Sequence, residues 1–451
     1  LPAPRIDSRL QADSTEYPHQ FAHKRYNRPV GKLYRMGAAM GDPQGTVISN
    51  IMDKLGLGAP AQLDPNDPKV KIMRDILSTK TMYDAEFDRL QAYFGPHMQH
   101  LDGDKHRTVL FIDPLKLQSA QAYGIKPTEF LSFALAEKGL KTHPLALYNI
   151  FNAASSVTGT APCAVPVYDA LKQNMADVVV PKSHMRQLKL DIPGLKPSEI
   201  TTLVNYHEFF HCLHDKYANA KPFENTSQKR EMFADVGAML EMMRRGSGPE
   251  IIDQMIIWRM RGKDDAHATV PALLALKNHV ATHGGVEGVR AMKTKDVLDL
   301  CYKATEEGSG MSAVSRVINF ARAAPDLKAA ADKAQKPGFK FQDLMPDFTL
   351  AKTLEDRAFA IAGKVTPKSL MQANNALQQE YAAQHEKNPD DMKPMFTAAQ
   401  MQITYNARVQ ATDYTAANAR RGATITADDQ REIDFVKKTP PKPGTAPAPR
   451  R

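Results

Sequence analysis

The segment at residues 206–215, Tyr-His-Glu-Phe-Phe-His-Cys-Leu-His-Asp, contains two histidines four residues apart with a glutamate directly after the first. No glycine or proline interrupts residues 198–217, so a helix is expected there. At about 100° per residue, His207 and His211 stand one turn apart on one face, where two imidazoles can converge on a metal ion such as Zn2+. Glu208 projects beside them, within reach of a water molecule at the metal, and is the candidate general base.

The next helical segment supplies two carboxylates, Glu231 and Asp235, four residues apart. Ala234 and Ala238 lie on the same helical face, and such small side chains let this helix approach the histidine-bearing helix closely. The chain after His211 is long enough to finish one helix, turn and return antiparallel. Glu231 is therefore the candidate third metal ligand.

The order His-Glu-x-x-His followed by Glu-x-x-x-Asp resembles the gluzincin branch of zinc metallopeptidases, with its thermolysin-like arrangement. The resemblance covers residues 203–240. It differs from the thermolysin type, which has Asn before the ligand Glu and Ser before the Asp, by having Arg230 and Ala234 at these positions. The resemblance implies one catalytic Zn2+ and these roles: His207, His211 and Glu231 as ligands, Glu208 as catalytic base, and Asp235 as the carboxylate that orients a ligand histidine.

Each of these residues also has an ordinary structural interpretation. A short pattern with two free positions occurs by chance, so the two histidines could simply lie on a surface helix. Glu231 and Asp235 could be a solvated pair of carboxylates. His214 is a competing third ligand, but it lies about 10 Å along the helix axis from His207, which favours a structural histidine. Cys212 points away from the second histidine and suits a core position better than a ligand position.

A peptidase also needs an edge strand for an extended substrate and a donor for the oxyanion. Residues 177–181, Asp-Val-Val-Val-Pro, are the candidate edge strand, and a plain core strand is the alternative. His267, close to a pair of aspartates, is the candidate oxyanion donor. The alternative for this segment is a helix-start loop before Pro271, and Tyr206 and Tyr217 are further candidates for the same task.

The patterns predict an α+β, mainly helical fold with a zincin-like core. The small, partly antiparallel sheet would lie over the histidine-bearing helix, with the carboxylate-bearing helix beside it. Short strands are expected at residues 108–113, 164–168 and 177–181. Helices are expected at 47–57, within 70–101, and near 197–218, 227–245, 249–261, 270–282, 286–306 and 311–323. The expected domains are an extended N-terminal arm at 1–70, the zincin core at 71–262, a helical part at 263–425 and a disordered basic tail at 426–451.

Composition limits the remaining possibilities. The chain has 451 residues, 42% hydrophobic and 24% charged, which suits a large folded core. No apolar run approaches the roughly 18 residues of a membrane span. The net charge of +9 comes without a nucleic-acid-binding motif, so no nucleic-acid partner is expected. Three cysteines allow at most one disulfide. The sequence begins at Leu1 without an initiator Met, so either a signal peptide has been removed or the chain has been shortened in another way. Of the two, we expect a periplasmic or secreted protein after signal-peptide removal.

The expected activity is zinc-dependent hydrolysis of a peptide bond in a peptide or protein substrate. One alternative is a zincin-fold hydrolase of a non-peptide amide, which would share every residue named above. The other is a non-enzymatic scaffold with a structural zinc, which is normally closed by a fourth protein ligand. The oligomeric state is not predicted by any feature of the sequence.

Overall fold

The computed structural model describes ten stretches of the chain: residues 64–81, 83–102, 110–137, 164–166, 192, 194–220, 226–260, 267–334, 349–389 and 391–439. The chain divides into two units, Leu1–Gln62 and Leu63–Arg451, and all described residues belong to the second. The helix predicted at 47–57 and the edge strand predicted at 177–181 lie outside the described residues.

Within these stretches the chain forms sixteen helices and two short strands. In chain order they are α1 (Pro68–Ser78), α2 (Asp84–Asp102), β1 (Leu110–Ile112), α3 (Pro114–Ala122), α4 (Pro127–Glu137), β2 (Ala164–Pro166), α5 (Pro197–Ala220), α6 (Ser227–Arg244), α7 (Glu250–Arg259), α8 (Val270–Thr282), α9 (Gly285–Arg290), α10 (Thr294–Ser309), α11 (Ala313–Ala334), α12 (Leu350–Ala362), α13 (Pro367–Lys387), α14 (Lys393–Ala411), α15 (Tyr414–Ala419) and α16 (Ala427–Lys438).

The prediction of an α+β fold is wrong, because the described part of the chain is all-α apart from one pair of three-residue strands. β1 and β2 pair in parallel, with Leu110 opposite Ala164, whereas a partly antiparallel sheet was expected. A proline lies at or just beyond the end of each strand: Pro166 is the last residue of β2, and Pro114, two residues after the end of β1, begins α3. Since proline has no amide hydrogen to donate to a ladder, neither strand is suited to extend into a larger sheet.

Local capping explains where the two site-bearing segments start. The side chain of Thr226 accepts a hydrogen bond from the amide of Lys229 and so caps α6. Proline stands at the first helical position of α5, where its missing amide hydrogen costs nothing. Both helices agree with the predicted ranges within two residues. Helical periodicity and caps were therefore sufficient to place them.

Two helices differ from their predicted bounds. The helix predicted at 286–306 is divided into α9 and α10, and the amide of Lys293 donates to the Asp296 side chain where α10 begins. The helix predicted at 311–323 continues to Ala334 through Pro325. Leu327 and Ala331 keep one face of this extension in the core, and this burial stabilises a helix that contains a proline.

The main core surrounds α6, whose residues from Met232 to Met243 are all buried. It runs without interruption from Phe94 on α2 through Phe210 on α5 to Leu273 on α8. The boundary predicted at residue 262 therefore does not separate two cores. A second core is formed farther along the chain, among α12 to α16.

Part of the predicted disordered tail at 426–451 is helical, because α16 spans its first half. Thr426 caps this helix: the amide of Asp429 donates to the Thr426 hydroxyl oxygen, and the amide of Thr426 donates to the Asp429 carboxylate. Ile433 is buried in the second core. Residues 440–451 lie outside the described residues.

Two further properties bear on function. Cys212 on α5 is disulfide-bonded, whereas Cys301 is a free, buried thiol. Across the described residues, no helix combines the length and the apolarity that crossing a bilayer would require.

Candidate metal centre

The two histidines of α5 converge as their spacing predicts. Nε2 of His207 lies 3.1 Å from Nε2 of His211, and the two rings are nearly perpendicular, at 87°. Both residues are buried, with 8% of each exposed. His207, Glu208 and His211 thus form a group of potential metal ligands, with one ligand atom of each within 4.8 Å of the others.

Glu231 brings its carboxylate to the same point from α6. Its Oε2 lies 3.1 Å from His207 Nε2, and its Oε1 lies 3.6 Å from His211 Nε2. Tetrahedral ligands at 2.0–2.1 Å from zinc would stand about 3.3 Å apart. The distances of 3.1, 3.1 and 3.6 Å, the last two measured to different oxygens of the same carboxylate, are close to this value, so the two imidazoles and the carboxylate are near enough to share one ion. Glu231 Oε2 is also buried without a well-aligned hydrogen bond from the described residues, as suits an atom that faces a metal.

Glu208 and Glu231 therefore compete for the third ligand position. Glu208 lies on the same helix as both histidines and is partly exposed. Glu231 lies on a separate helix, and its carboxylate oxygens lie 3.1 and 3.6 Å from the two imidazole nitrogens. A carboxylate that contacts both imidazoles from a second helix favours Glu231 as the ligand, and Glu208 then stands next to the site, where a base for a water molecule would stand.

Asp235, one turn after Glu231, lies behind the first histidine. Its Oδ1 is 2.8 Å from His207 Nδ1, on the ring side opposite to the nitrogen that faces Glu231. The carboxylate contact of His211 among the described residues is instead made by its Nε2, to Glu231. The Asp235 carboxylate thus orients only one of the two ligand histidines, as the gluzincin resemblance implies.

The electrostatics of the metal-free site are dominated by these contacts. Burial alone would lower the pKa of His207, but the carboxylates of Asp235 and Glu231 outweigh burial and raise that pKa to about 10. Burial would raise the pKa of Glu231, and the surrounding imidazoles of His207, His211 and His267 instead hold it well below its usual range. The pKa of Asp235 is likewise lowered against the effect of burial, chiefly by the Arg259 guanidinium. Without metal, the site is a buried cluster of opposite charges.

His267 lies at the edge of this cluster. Its Nε2 is 3.3 Å from Glu231 Oε2, and 38% of its side chain is exposed, compared with 11% for His207 and 9% for His211. The residue precedes α8, so the alternative of a helix-start loop also describes its backbone. It is therefore close enough to act on a group bound at the site and is accessible from solvent.

The other candidates lie elsewhere. His214 is buried and packs edge-on against the Phe233 ring, which agrees with a structural histidine. Cys212 is buried in the core. Tyr206 donates to Glu86 and accepts from Arg245, and burial raises the pKa of its hydroxyl, so this side chain serves a separate polar cluster. The side chain of Tyr217 lies outside the described part.

Sequence reasoning missed two residues that hold Asp235. Arg259, at the end of α7, donates from Nε and Nη2 to the two Asp235 oxygens at 2.7 and 2.6 Å. The Thr269 hydroxyl donates to Asp235 Oδ2 at 2.6 Å. Asp235 is completely buried, and a buried carboxylate requires donors. From the sequence alone, this requirement indicates that Asp235 must have hydrogen-bond donors if it is buried. It does not indicate which distant residues supply those donors.

Comparison of the chain with protein-family models, with curated proteins and with solved structures finds no match in any of the three.

Proposed function

We propose that this protein is a zinc-dependent metallopeptidase with His207, His211 and Glu231 as the ligands of one catalytic zinc ion. The observation that carries the proposal is the convergence of two imidazole nitrogens and one carboxylate at 3.1–3.6 Å from one another. Two imidazoles with one carboxylate form a donor set of catalytic zinc sites, whereas Mg2+ and Ca2+ prefer oxygen ligands. Three protein ligands leave a fourth position for water or substrate.

A bound zinc ion would supply Lewis-acid chemistry to a water molecule and to the substrate carbonyl. Glu208 accepts the proton of the attacking water and transfers it to the amine that leaves. Asp235 keeps the His207 ring in place, with Nδ1 directed to the carboxylate and Nε2 to the ligand position. His267 donates from its partly exposed ring to the oxygen that becomes negative during attack.

The proposed substrate is a peptide or a protein. A non-peptide amide would use the same residues and differ only in the cleft that receives it, so it is the nearest alternative. The disulfide of Cys212 supports the proposal of an exported protein, because stable disulfides are typical of oxidising compartments.

One observation favours a second candidate, a structural zinc site. His267 Nε2 is close enough to Glu231 Oε2 to be a fourth ligand after a small movement, and four protein ligands would close the site. In that case the protein would be a scaffold and Glu208 would have no chemical role. The relative exposure of His267 argues against this candidate, since closing a structural site buries its ligands.

The test compares the wild type with Glu208→Gln, which keeps the side-chain shape and removes the base. Zinc content, melting temperature and cleavage of a general peptide library are measured for both proteins. Glu287→Gln, at an exposed position on α9, is the matched control. We expect one zinc per chain in all three proteins, and turnover in Glu208→Gln about 10²-fold to 10⁴-fold lower.

Equal turnover in wild type and Glu208→Gln would overturn the proposed role of Glu208. A zinc-containing wild type that cleaves no peptide, and whose zinc has four protein ligands by X-ray absorption, would establish the structural alternative. Cleavage of amide substrates without cleavage of peptides would favour the non-peptide hydrolase.

A further inference from the structure

The carboxylate of Asp235 is the meeting point of three elements. Oδ1 lies 2.8 Å from His207 Nδ1 and accepts from Arg259 Nη2, whereas Oδ2 accepts from Arg259 Nε and from the Thr269 hydroxyl. Side chains from α5, α7 and the start of α8 thus converge on one buried group of α6. Asp235 cannot move toward or away from His207 without breaking contacts to both other elements.

Thr269 has an unusual role for the residue that begins a helix. A threonine at this position normally accepts a hydrogen bond from an amide of the first helical turn through its side chain. In α8 the Thr269 side chain makes no such bond, and its hydroxyl instead donates to Asp235 at 2.6 Å. Thr269 is completely buried. The Thr269 hydroxyl therefore holds the Asp235 carboxylate and does not cap α8.

The backbone of Thr269 leads directly to His267. The Thr269 amide donates to the His267 carbonyl oxygen at 2.8 Å, which forms a tight turn between the two residues. Gln228, at the start of α6, donates its side-chain amide to the carbonyl oxygen of Ala268 at 3.1 Å. This turn, residues 267–269, is thus fixed at one side to α6 and at the other side to Asp235.

We propose that Thr269 is a positioning residue that couples the metal ligand His207 to His267. Its hydroxyl fixes Asp235, which orients His207, while its backbone holds the turn that presents His267 beside Glu231. This inference rests on the proposed metal centre. Removing the hydroxyl should disturb metal binding and the His267 turn together, although Thr269 touches neither the metal position nor a substrate.

The experiment uses Thr269→Val, which keeps the branched shape and removes the hydroxyl, and Thr269→Ser, which retains it. Thr305→Val is the matched control, because Thr305 is equally buried on α10 and its hydroxyl donates only to the Cys301 carbonyl within its own helix. Affinity for Zn2+ is measured by chelator competition, and the ligand geometry by the visible spectrum of the Co2+-loaded protein. The rate at which diethyl pyrocarbonate labels His267 is followed by mass spectrometry.

We expect Thr269→Val to bind Zn2+ about 10-fold to 100-fold more weakly, as loss of a group that supports a ligand does. Its Co2+ spectrum should shift and His267 should label faster than in the wild type. Thr269→Ser should restore the wild-type values, and Thr305→Val should keep them. General destabilisation would lower the melting temperatures of both valine variants without producing this pattern.

Three outcomes overturn the inference. Wild-type affinity and spectrum in Thr269→Val would show that the hydroxyl does not position His207. Weakened metal binding with unchanged labelling of His267 would show that the two residues are not coupled. If Thr269→Val does not fold, Thr269→Ala is measured against the same expectations. A wild type that binds no metal would instead refute the proposed metal centre, and with it this inference.

Discussion

Gly237 on α6 lies directly against the aromatic ring of Phe210 on α5, so that a β-carbon at residue 237 would stand 2.0 Å from Cδ1 of the ring. Phe210 is the residue before His211, and Gly237 is two residues after Asp235. The contact therefore sets the distance between the helix that carries both histidines and the helix that carries Glu231. A metal site with donor atoms 3.1–3.6 Å apart depends on that distance.

Gly237→Ala should force the two helices apart and weaken both the fold and the site. Overpacking of this kind costs typically about 1–3 kcal/mol. Chemical denaturation and Zn2+ titration measure the two effects. The control is Gly95→Ala in α2, where an added β-carbon meets no atom within 4 Å apart from its chain neighbours, so that no helix is pushed away. Because Gly95 precedes Pro96, no gain in helix stability is expected from this change, and zinc affinity should stay at the wild-type value. Unchanged zinc affinity in Gly237→Ala would contradict this account of the helix spacing.

The sequence was sufficient to predict the residues whose positions follow from helical periodicity. His207 and His211 must share a face at a spacing of four, and Glu231 and Asp235 must do so on the next helix. The small residues Ala234 and Ala238 indicated a close approach, although the tightest contact is made by Gly237, which the pattern did not single out.

The sequence was not sufficient to predict the contacts between distant segments. Arg259 and Thr269 hold Asp235 from 24 and 34 residues away, and each looks locally like an ordinary residue at a helix end. The fold class was mispredicted because the apolar run at 108–113 suggests a strand of a sheet. Of its described residues, 110–113, three pair with a second three-residue strand, and prolines lie at or just beyond the ends of the two strands.

The choice of third ligand can be tested by removing each candidate. Glu231→Gln keeps the size of the side chain but removes the charge that faces both imidazoles. Loss of a residue that only hydrogen-bonds to a metal ligand typically lowers metal affinity by roughly 10-fold to 100-fold. We expect zinc affinity to fall by more than this in Glu231→Gln, because a direct ligand is lost. His214→Ala, in the core against Phe233, should lower the melting temperature and leave the zinc content of the folded protein unchanged. Zinc retained in Glu231→Gln and lost in His214→Ala would reverse the assignment.

Metal binding should release a proton at neutral pH. Burial opposes protonation of His207, but Asp235 and Glu231 raise its pKa to about 10, so the ring is protonated in the metal-free protein at pH 7. Because a metal ligand must give up this proton, zinc affinity should rise by about tenfold per pH unit below pH 10. Calorimetry at pH 7.5 in buffers of different ionisation enthalpy should report about one proton released per zinc. Release of no proton would contradict the high pKa of His207.

The same shift has a consequence for the stability of the metal-free protein. A pKa raised on folding from 6.5 to about 10 stabilises the folded state fully below pH 6.5, and this contribution is lost as the pH rises through 10. Denaturation of the chelator-treated protein should therefore show stability falling from pH 6.5 to 10. His207→Gln should reduce this slope.

The role of His267, as an oxyanion donor or as a fourth metal ligand, can be determined by measuring its effects on metal binding and on turnover separately. As an oxyanion donor it would contact the reacting oxygen only during attack, so His267→Ala should retain zinc affinity while turnover falls by about 10²-fold to 10³-fold. His267→Gln should recover part of the loss, because its amide can donate a hydrogen bond. As a fourth ligand, His267 would instead contribute to metal affinity in the resting protein, and its loss would change the Co2+ spectrum.

The control for this comparison is His283→Ala, at the exposed end of α8, where the ring contacts only its own helix turn. Turnover and zinc affinity of that variant should equal those of the wild type. A large loss of zinc affinity in His267→Ala, together with a change in the Co2+ spectrum, would make His267 a ligand and close the site with four protein groups. The partly exposed ring and its 3.3 Å separation from Glu231 favour the other result, because a donor that acts on a bound substrate must remain accessible while the ligands stay buried.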